Sequence, residues 1–294
     1  MLEIAKNIFF VPGDNKSRFP YCTCLYIRGR DMRILIDAGM GKKGMDACRK
    51  EGIDVLILTH CHYDHRSSIT QILEIPVWCH GEEVPYLEDR ELYIRATGMS
   101  RSGLDFTQLL KNLSFPRILV QKRLSDAERI DAGGATMEVI HAPGHTPGHI
   151  AFYFPEHELL FSADVALDPF GPFYGNEFSD IADFIASIRR LKALPVKTVL
   201  SSHCGPFTEG LEKRFTDYEN IIYKRDRLVM DRLKEPRTLS DFFDRNMLYA
   251  NYPRPTRVMK WLELIHVEKH LERLVSMGLI EKKGDIFSRV GGWS

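Results

Sequence analysis

The chain has 294 residues, with 40 acidic and 40 basic side chains and a formal net charge of zero. This balance argues against a protein that binds mainly through nucleic-acid phosphates, although a local basic patch is compatible with it. The six cysteines include no C-x-x-C pair, so neither a zinc ribbon nor a thioredoxin-like motif is indicated. Since no apolar run approaches the roughly 18 residues of a membrane span and no signal-peptide pattern opens the chain, we expect a soluble cytoplasmic protein.

The first two thirds of the chain predict strands that alternate with helices. Strands are expected at residues 8–11, 22–27, 33–36, 54–58, 118–121 and 135–140, and helices at 44–52 and 181–194. Residues 82–117 interrupt this order with helix-favouring, mixed-charge sequence and are interpreted as an inserted cap that bears on substrate choice. Alternation of this kind predicts a layered α/β fold.

The last third predicts a small appended domain. A long helix at residues 209–233 is expected to end the first domain. The expected elements of the appended domain are a capped turn, a helix and a hairpin, at residues 238–241, 261–277 and 279–287. Helices followed by a hairpin are the order of a winged helix. We therefore expect a catalytic domain over residues 1–235 and a winged-helix-like domain over 236–294.

One short segment is dense in metal-ligand side chains. His60, His62, Asp64 and His65 follow the apolar run at 55–58. Neighbours at this spacing cannot share a helix face, but a loop that leaves a strand can turn them inward together. Four such groups exceed the three protein ligands that a single catalytic zinc normally takes, so the pattern favours two metal ions.

Three later residues repeat this placement after a strand. His145, Asp164 and His203 each follow an apolar or β-branched run, so four strand ends are expected to deliver ligands to one rim. Two histidines that flank His145, at positions 141 and 149, are interpreted as structural, and His80 as a surface histidine.

This ordered set of motifs resembles the metallo-β-lactamase superfamily, whose H-x-H-x-D-H motif matches His60, His62, Asp64 and His65. The run at 142–149 resembles the glyoxalase-II-like branch in particular. The resemblance implies a four-layered αβ/βα sandwich, with a small helical, winged-helix-like domain after it.

The resemblance also implies the ligand sets. One metal ion would be held by His60, His62 and His145, and the other by Asp64, His65 and His203, with Asp164 bridging the two. Zinc is the first expectation for both ions, with iron or manganese as alternatives.

Two further residues occupy places that the resemblance marks. Asp37 stands in the Asp-x-Gly position at a strand end, where it is expected to support a ligand through a hydrogen bond. Cys204 departs from the pattern, since many relatives have a glycine after the last histidine; its role, like that of Cys61, is left open between a supporting thiol and a core side chain.

The implied activity is hydrolysis of an ester, a thioester or a lactone by a hydroxide held between two metal ions, with Asp64 orienting that hydroxide or accepting its proton. The alternatives are a phosphodiesterase or ribonuclease of the same fold, a winged-helix nucleic-acid-binding regulator with a metal-sensing domain, and redox chemistry at an iron-loaded site. The expected partner is a small-molecule substrate, and the sequence leaves a homodimer open.

Candidate pocket residues lie in the loop after Asp164 and in the cap. Phe170, Phe173 and Tyr174 are expected either to wall the substrate pocket or to pack the loop onto its own domain. Arg95 and Arg101 of the cap are candidates for holding a substrate carboxylate or phosphate.

Overall fold

The computed structural model describes residues 1–101, 115–243, 247–248 and 256–291. Its first sheet has seven strands in the order β1 to β7. Their bounds are Leu2–Ala5, Ile8–Val11, Cys24–Arg28, Arg33–Ile36, Val55–Ile57, Val77–His80 and Val120–Leu124. The first four strands run antiparallel, and β4 to β7 are parallel to one another.

A second sheet of five strands faces the first. Its order is β12-β11-β10-β9-β8, and only the β11–β12 pair is parallel. The bounds of β8 to β12 are Arg129–Asp131, Thr136–His141, Ile150–Phe154, Leu159–Phe161 and Thr198–Leu200. Apolar side chains from the inner faces of both sheets, such as Ile36 and Phe152, form one buried core.

Helices cover the outer face of each sheet. Next to the first sheet lie α1 (Lys42–Glu51), α2 (Val84–Glu88) and α3 (Arg90–Ala96), and their buried side chains join its outer core. Against the second sheet lie α4 (Ile181–Lys192) and α5 (Leu211–Arg232). Helix, sheet, sheet and helix make four layers, which confirms the predicted α/β fold class.

Helix α4 shows how the sequence selects this arrangement. The Asp180 side chain caps its first turn by accepting from Asp183 N–H. Ile181, Phe184 and Ile188 are buried and share one face because of their helical spacing. That face packs on the second sheet.

The C-terminal region forms a third, three-stranded sheet in the order β13-β15-β14. Its elements are β13, α6, β14 and β15, at Arg237–Thr238, Arg257–Ser276, Ile280–Lys283 and Ile286–Arg289. Thr238 and Asp241 form a capping box at the predicted capped turn. The apolar core of this region also contains Val229 and Leu233, which precede the predicted boundary at 235.

Most predicted elements differ from the observed ones only at their ends. Helix α6 begins at Arg257 rather than at 261, because Thr256 caps it by accepting from Met259 N–H. The first part of the predicted cap is helical, in α2 and α3, while residues 102–114 lie outside the described part of the chain. Within that part, no helix is long and apolar enough to cross a membrane.

The core between the sheets offers a stability test. Phe152 is 0% exposed, and its replacement by alanine leaves a cavity, so we expect Phe152→Ala to lower the free energy of unfolding by about 3–5 kcal/mol. Leu73→Ala is the control, since Leu73 is 54% exposed and should change that free energy by less than about 0.5 kcal/mol. Urea unfolding followed by circular dichroism measures both. A loss at Phe152 no larger than that at Leu73 would contradict this packing.

Candidate metal centre

Four strand ends bring the candidate ligands to one edge of the two sheets. The segment with His60 follows β5 of the first sheet, whereas His145, Asp164 and His203 follow β9, β11 and β12 of the second. The structure thus gathers all seven residues that the sequence singled out. They form two clusters, which we call the first and the second cluster.

The first cluster contains His60, His62, His145 and Asp164. His62 Nδ1 lies 3.1 Å from His60 Nε2 and 2.8 Å from His145 Nε2. Asp164 Oδ2 lies 3.2 Å from His145 Nε2. The four donor atoms lie within 4.8 Å of one another, so they converge on one point.

The second cluster contains Asp64, His65 and His203. His203 Nε2 lies 3.4 Å from Asp64 Oδ2 and 3.5 Å from Asp164 Oδ1. His65 Nε2 lies 3.1 Å from Asp164 Oδ1. Asp164 therefore presents one carboxylate oxygen to each cluster.

Two atoms of the second cluster test whether a metal ion fits. His65 Nε2 and Asp164 Oδ1 are buried, and neither makes a hydrogen bond of good geometry to the described residues. Buried polar atoms almost always have a partner. Imidazole nitrogen and carboxylate oxygen are donors that suit zinc, iron and manganese. The residues present at both clusters therefore fit divalent metal ions.

The two clusters differ in protonation. Burial lowers the pKa of His60 and His62 well below the usual histidine value, so both rings are neutral. At His203 burial opposes the charge, but the Asp164 carboxylate outweighs it and raises the pKa to about 9. For His65 the carboxylates of Asp164 and Asp37 likewise outweigh burial and raise the pKa well above its usual value. A cation that binds the second cluster must displace these protons.

Asp37 and Thr59 orient two of the rings. His65 Nδ1 donates to Asp37 Oδ2 at 2.8 Å, and Thr59 Oγ1 donates to the same carboxylate while lying 3.0 Å from His60 Nδ1. Asp37 has a φ of 63°, a strained conformation for a non-glycine residue. Asp37 thus lies behind the His65 ring, and its supporting role stays a prediction.

Backbone carbonyls orient two more rings. His145 Nδ1 donates to Phe173 O and His203 Nδ1 to Ser17 O, both at 2.7 Å. Hydrogen bonds of this kind decide which ring nitrogen is left for a metal. In both rings that nitrogen is Nε2.

His62 is held by an amide that the sequence did not indicate. Asn176 Nδ2 lies 2.9 Å from His62 Nε2. Because Nδ1 of this ring faces the first cluster, a metal there leaves the proton on Nε2. That proton needs an acceptor, so metal binding favours the rotated Asn176 amide with its oxygen toward the ring.

Two glycines allow the ligand loops to pack closely. A Cβ on Gly39 would lie 1.6 Å from Asp64 O, so the Asp-x-Gly turn touches the backbone of a ligand. Gly144 has a φ of +118°, and a Cβ there would lie 2.2 Å from Phe184 N. Only glycine fits this approach, which places His145 at the rim.

Sequence reasoning missed Glu83. This carboxylate is 0% exposed and accepts from Cys61 N–H, from Gly148 N–H and from Thr146 Oγ1, at 2.7, 2.7 and 2.5 Å. It thereby joins the His60 loop to the His145 loop. Its mixed-charge surroundings carried no local signal for this role.

Tyr174 follows the second of its two predicted alternatives and packs the loop onto the protein. The ring is 0% exposed, and its hydroxyl lies 2.7 Å from His270 Nε2 and 3.0 Å from Arg225 Nη1. It packs inside the fold and leaves no face for a substrate. Phe170 also lies beside Arg225, at 5.9 Å, whereas the Phe173 ring lies 6.4 Å from His62.

Most of the other candidate residues are packed in the core, hydrogen-bonded, ion-paired or stacked on a neighbouring ring. Cys61 is buried in the outer core of the first sheet, and Cys204 is in none of the described metal-ligand groups. His149 uses both ring nitrogens on backbone groups, Ala142 O and Asp164 N–H. Arg101 does not offer a free anion site, because it pairs with Glu177 and Glu268. His80 and His141 stack on each other at 4.0 Å.

The sequence matches the model of one protein family. The model described as "Metallo-beta-lactamase superfamily" matches residues 18–203, which include all seven candidate ligands. The chain belongs to the metallo-beta-lactamase superfamily. It is a hydrolase of that superfamily with a His/Asp cluster suited to metal binding.

Similar proteins of the superfamily agree with this membership. "Acyl-coenzyme A thioesterase MBLAC2" of Gallus gallus is 27% identical over 224 residues, which are 67% of this chain and 77% of that protein. "Probable metallo-hydrolase YflN" of Bacillus subtilis is 33% identical over 152 residues, 46% of this chain and 55% of that protein.

Solved structures share the fold. The metallo-beta-lactamase family protein TTHA1429 of Thermus thermophilus has a TM-score of 0.78 at 21% identity and covers 98% of this chain and 100% of its own. TTHA1623, solved in a di-iron-bound form, has a TM-score of 0.52 at 28% identity, over 66% of this chain and 93% of its own.

Proposed function

We propose that this protein is a dinuclear metallo-hydrolase of the glyoxalase-II-like branch that cleaves a thioester. The observation that carries the proposal is Asp164, whose two carboxylate oxygens face separate clusters of ligand atoms. The thioester is supported by the similarity to an acyl-coenzyme A thioesterase. A "Hydroxyacylglutathione hydrolase" of Hyphomonas neptunium, 39% identical over 82 residues, supports the same class and the branch; the match covers 28% of this chain and 31% of that protein.

The proposed ligand sets follow the two clusters. His60, His62 and His145 would hold the first ion, Asp64, His65 and His203 the second, and Asp164 would contact both; zinc is our first choice of metal. When bound, such a pair supplies a water of lowered pKa and a Lewis acid for the substrate carbonyl.

The residues of the chain orient these groups and limit water. Asp64 Oδ2 lies 4.0 Å from His65 Nε2 and 3.4 Å from His203 Nε2, and this position at the second cluster supports a role for its carboxylate in accepting the proton of an attacking water. The Phe178 ring stacks on His62 at 5.9 Å. This apolar face beside the first cluster lowers the local polarity, which strengthens charge stabilisation during the reaction.

We also infer that residues 236–294 form a winged-helix-like appendage. The strand order β13-β15-β14, with α6 before the β14–β15 hairpin, supports this assignment. The hairpin tip carries Lys282 and Lys283, of which Lys283 pairs with Glu281.

A substrate panel tests the proposed activity. Zinc-loaded protein is assayed on acyl-coenzyme A, an S-acylglutathione, a lactone and a phosphodiester, and we expect turnover of the thioesters. Asp64→Ala should lower kcat/KM by about 10²–10⁴-fold, because the variant loses a proton acceptor and a ligand. Asp46→Asn is the control, since Asp46 is an exposed carboxylate paired with Lys42 on α1. Thioester turnover that survives Asp64→Ala, or turnover of the phosphodiester alone, would refute the proposal.

A further inference from the structure

One loop, at residues 170–178, supports two ligands of the first cluster. Phe173 O accepts from His145 Nδ1 at 2.7 Å, and the Asn176 amide lies 2.9 Å from His62 Nε2. The position of this loop therefore decides how two of the three histidine rings point. The loop itself is held by hydrogen bonds from residues of α5 and α6.

Helix α6 holds the middle of the loop through two buried histidines. Tyr174 N–H donates to His266 Nε2 at 3.1 Å, and the Tyr174 hydroxyl lies 2.7 Å from His270 Nε2. His270 Nδ1 lies 2.6 Å from Asp226 Oδ1 of α5. Tyr174, His266 and His270 are all 0% exposed, so water does not compete for these contacts.

These hydrogen bonds form a series with one consistent direction. Arg225 Nη1 donates to the Tyr174 hydroxyl at 3.0 Å, which leaves the hydroxyl proton for His270 Nε2. The His270 ring then donates from Nδ1 to Asp226, a carboxylate that can only accept. Every group in the series has a partner, so we call Arg225, Tyr174, His270 and Asp226 the relay.

The relay also fixes the loop backbone before Tyr174. Arg225 Nη1 donates to Pro172 O and Nη2 to Phe170 O, both at 2.6 Å. On the other side of Tyr174, a Cβ on Gly175 would lie 2.5 Å from His266. The loop is thus packed against α6 too closely to shift without disturbing it.

Among the residues that the structure describes, the two rings of the second cluster have other partners. His65 is oriented by Asp37 and His203 by Ser17 O, both from the N-terminal half of the chain. The clusters share Asp164, and the Thr59–Asp37 pair lies beside both His60 and His65, but only the His62 and His145 rings are held by the 170–178 loop.

We propose that Tyr174 and His270 are positioning residues for the first metal site alone. The C-terminal region, through His270 of α6, would then help to hold the ligands of that site. The inference rests on the proposed function, because it needs two metal sites. Loss of the relay releases the 170–178 loop and lets the His145 and His62 rings turn, while the rings of the second cluster keep their partners. Loss of a hydrogen bond made directly to a ligand typically weakens metal binding by about 10–100-fold, and this range is the upper limit for the relay, which reaches the ligands through the loop.

Site-selective zinc binding tests the inference in the full chain. In an Asp64→Ala background the second cluster lacks a ligand, so the zinc dissociation constant is that of the first site. In a His62→Ala background the first cluster lacks a ligand, so the constant is that of the second site. Zinc dissociation constants are measured by competition with a chromophoric chelator. We expect His270→Phe to raise the zinc dissociation constant of the first site measurably, by up to about 100-fold, and to change that of the second site by less than about twofold.

Two further variants separate positioning from general destabilisation. Tyr174→Phe removes only the hydroxyl, and we expect a smaller change in the same direction, again confined to the first site. Leu274→Ala is the matched control, since Leu274 belongs to the apolar core of the C-terminal region and has no polar side-chain atom for the relay. It should lower thermal stability without changing either zinc constant.

The outcomes distinguish the two proposals. If the relay variants weaken zinc binding equally at both sites, or if neither variant weakens it at the first site, the positioning role is overturned. The proposed dinuclear centre is not affected by either result. Failure of both backgrounds to bind zinc overturns the proposed function itself, and the positioning role with it.

Discussion

Asp164→Asn is expected to abolish hydrolysis and to reduce the bound metal from two ions to one or none. The amide has a single oxygen, so one of the two clusters meets an N–H group instead of a ligand atom. Losing one ion removes several kcal/mol of charge stabilisation, which corresponds to a fall in kcat/KM of at least about 10³-fold. Metal content by mass spectrometry and thioester kinetics measure the two effects.

The matched control is Asp168→Asn, four residues along the same chain segment. Asp168 Oδ1 accepts from Gly171 N–H, and an asparagine oxygen can keep that bond. We expect two bound ions and a rate close to that of the unsubstituted protein. If Asp164→Asn also kept two ions, a bridging role for this carboxylate would be excluded.

Glu83→Gln is expected to lower the free energy of unfolding by about 2–4 kcal/mol. The carboxylate accepts from Cys61 N–H, Gly148 N–H and Thr146 Oγ1, and a hydrogen bond to a charged acceptor contributes about 1.5–3 kcal/mol. The glutamine NH₂ group would replace one of the two oxygens and face either Cys61 N–H or Gly148 N–H, so that buried donor would lose its acceptor. Chemical unfolding of the metal-free protein measures this loss apart from metal binding.

The neighbouring Glu82→Gln serves as control, because Glu82 is not fully buried and should change the free energy by less than about 0.5 kcal/mol. Because Glu83 joins the His60 and His145 loops, we also expect Glu83→Gln to weaken metal binding. A variant with unchanged stability would show that the three contacts are replaceable by an amide.

Local sequence patterns predicted several strands of the sheets and the segment that holds four of the candidate ligands. Strands at 8–11 and 33–36 were predicted with their observed bounds, because short apolar runs between turns have few alternatives. The ligand segment at 60–65 was found from residue type and spacing alone. The sequence left Tyr174 open between the substrate pocket and packing onto its own domain, since an aromatic residue in a loop gives no sign of which side it faces.

The contacts between distant segments had no such signal. Glu83 lies 63 residues from Thr146 along the chain, and Asn176 lies 114 residues from His62. His270 lies 96 residues from Tyr174. These side chains are ordinary polar residues in mixed surroundings. Only the folded chain shows which partner each one meets.

The sequence by itself determined the α/β class, the superfamily and the set of seven candidate ligands, because metal chemistry demands particular side chains at strand ends. The tertiary structure decided how those ligands divide into two clusters around Asp164 and which groups orient each ring. It also decided that the 170–178 loop, which contacts His62 and His145, packs against α6. These features depend on packing between segments far apart in the chain, and hydrogen-bond geometry of that kind leaves no periodicity in the sequence.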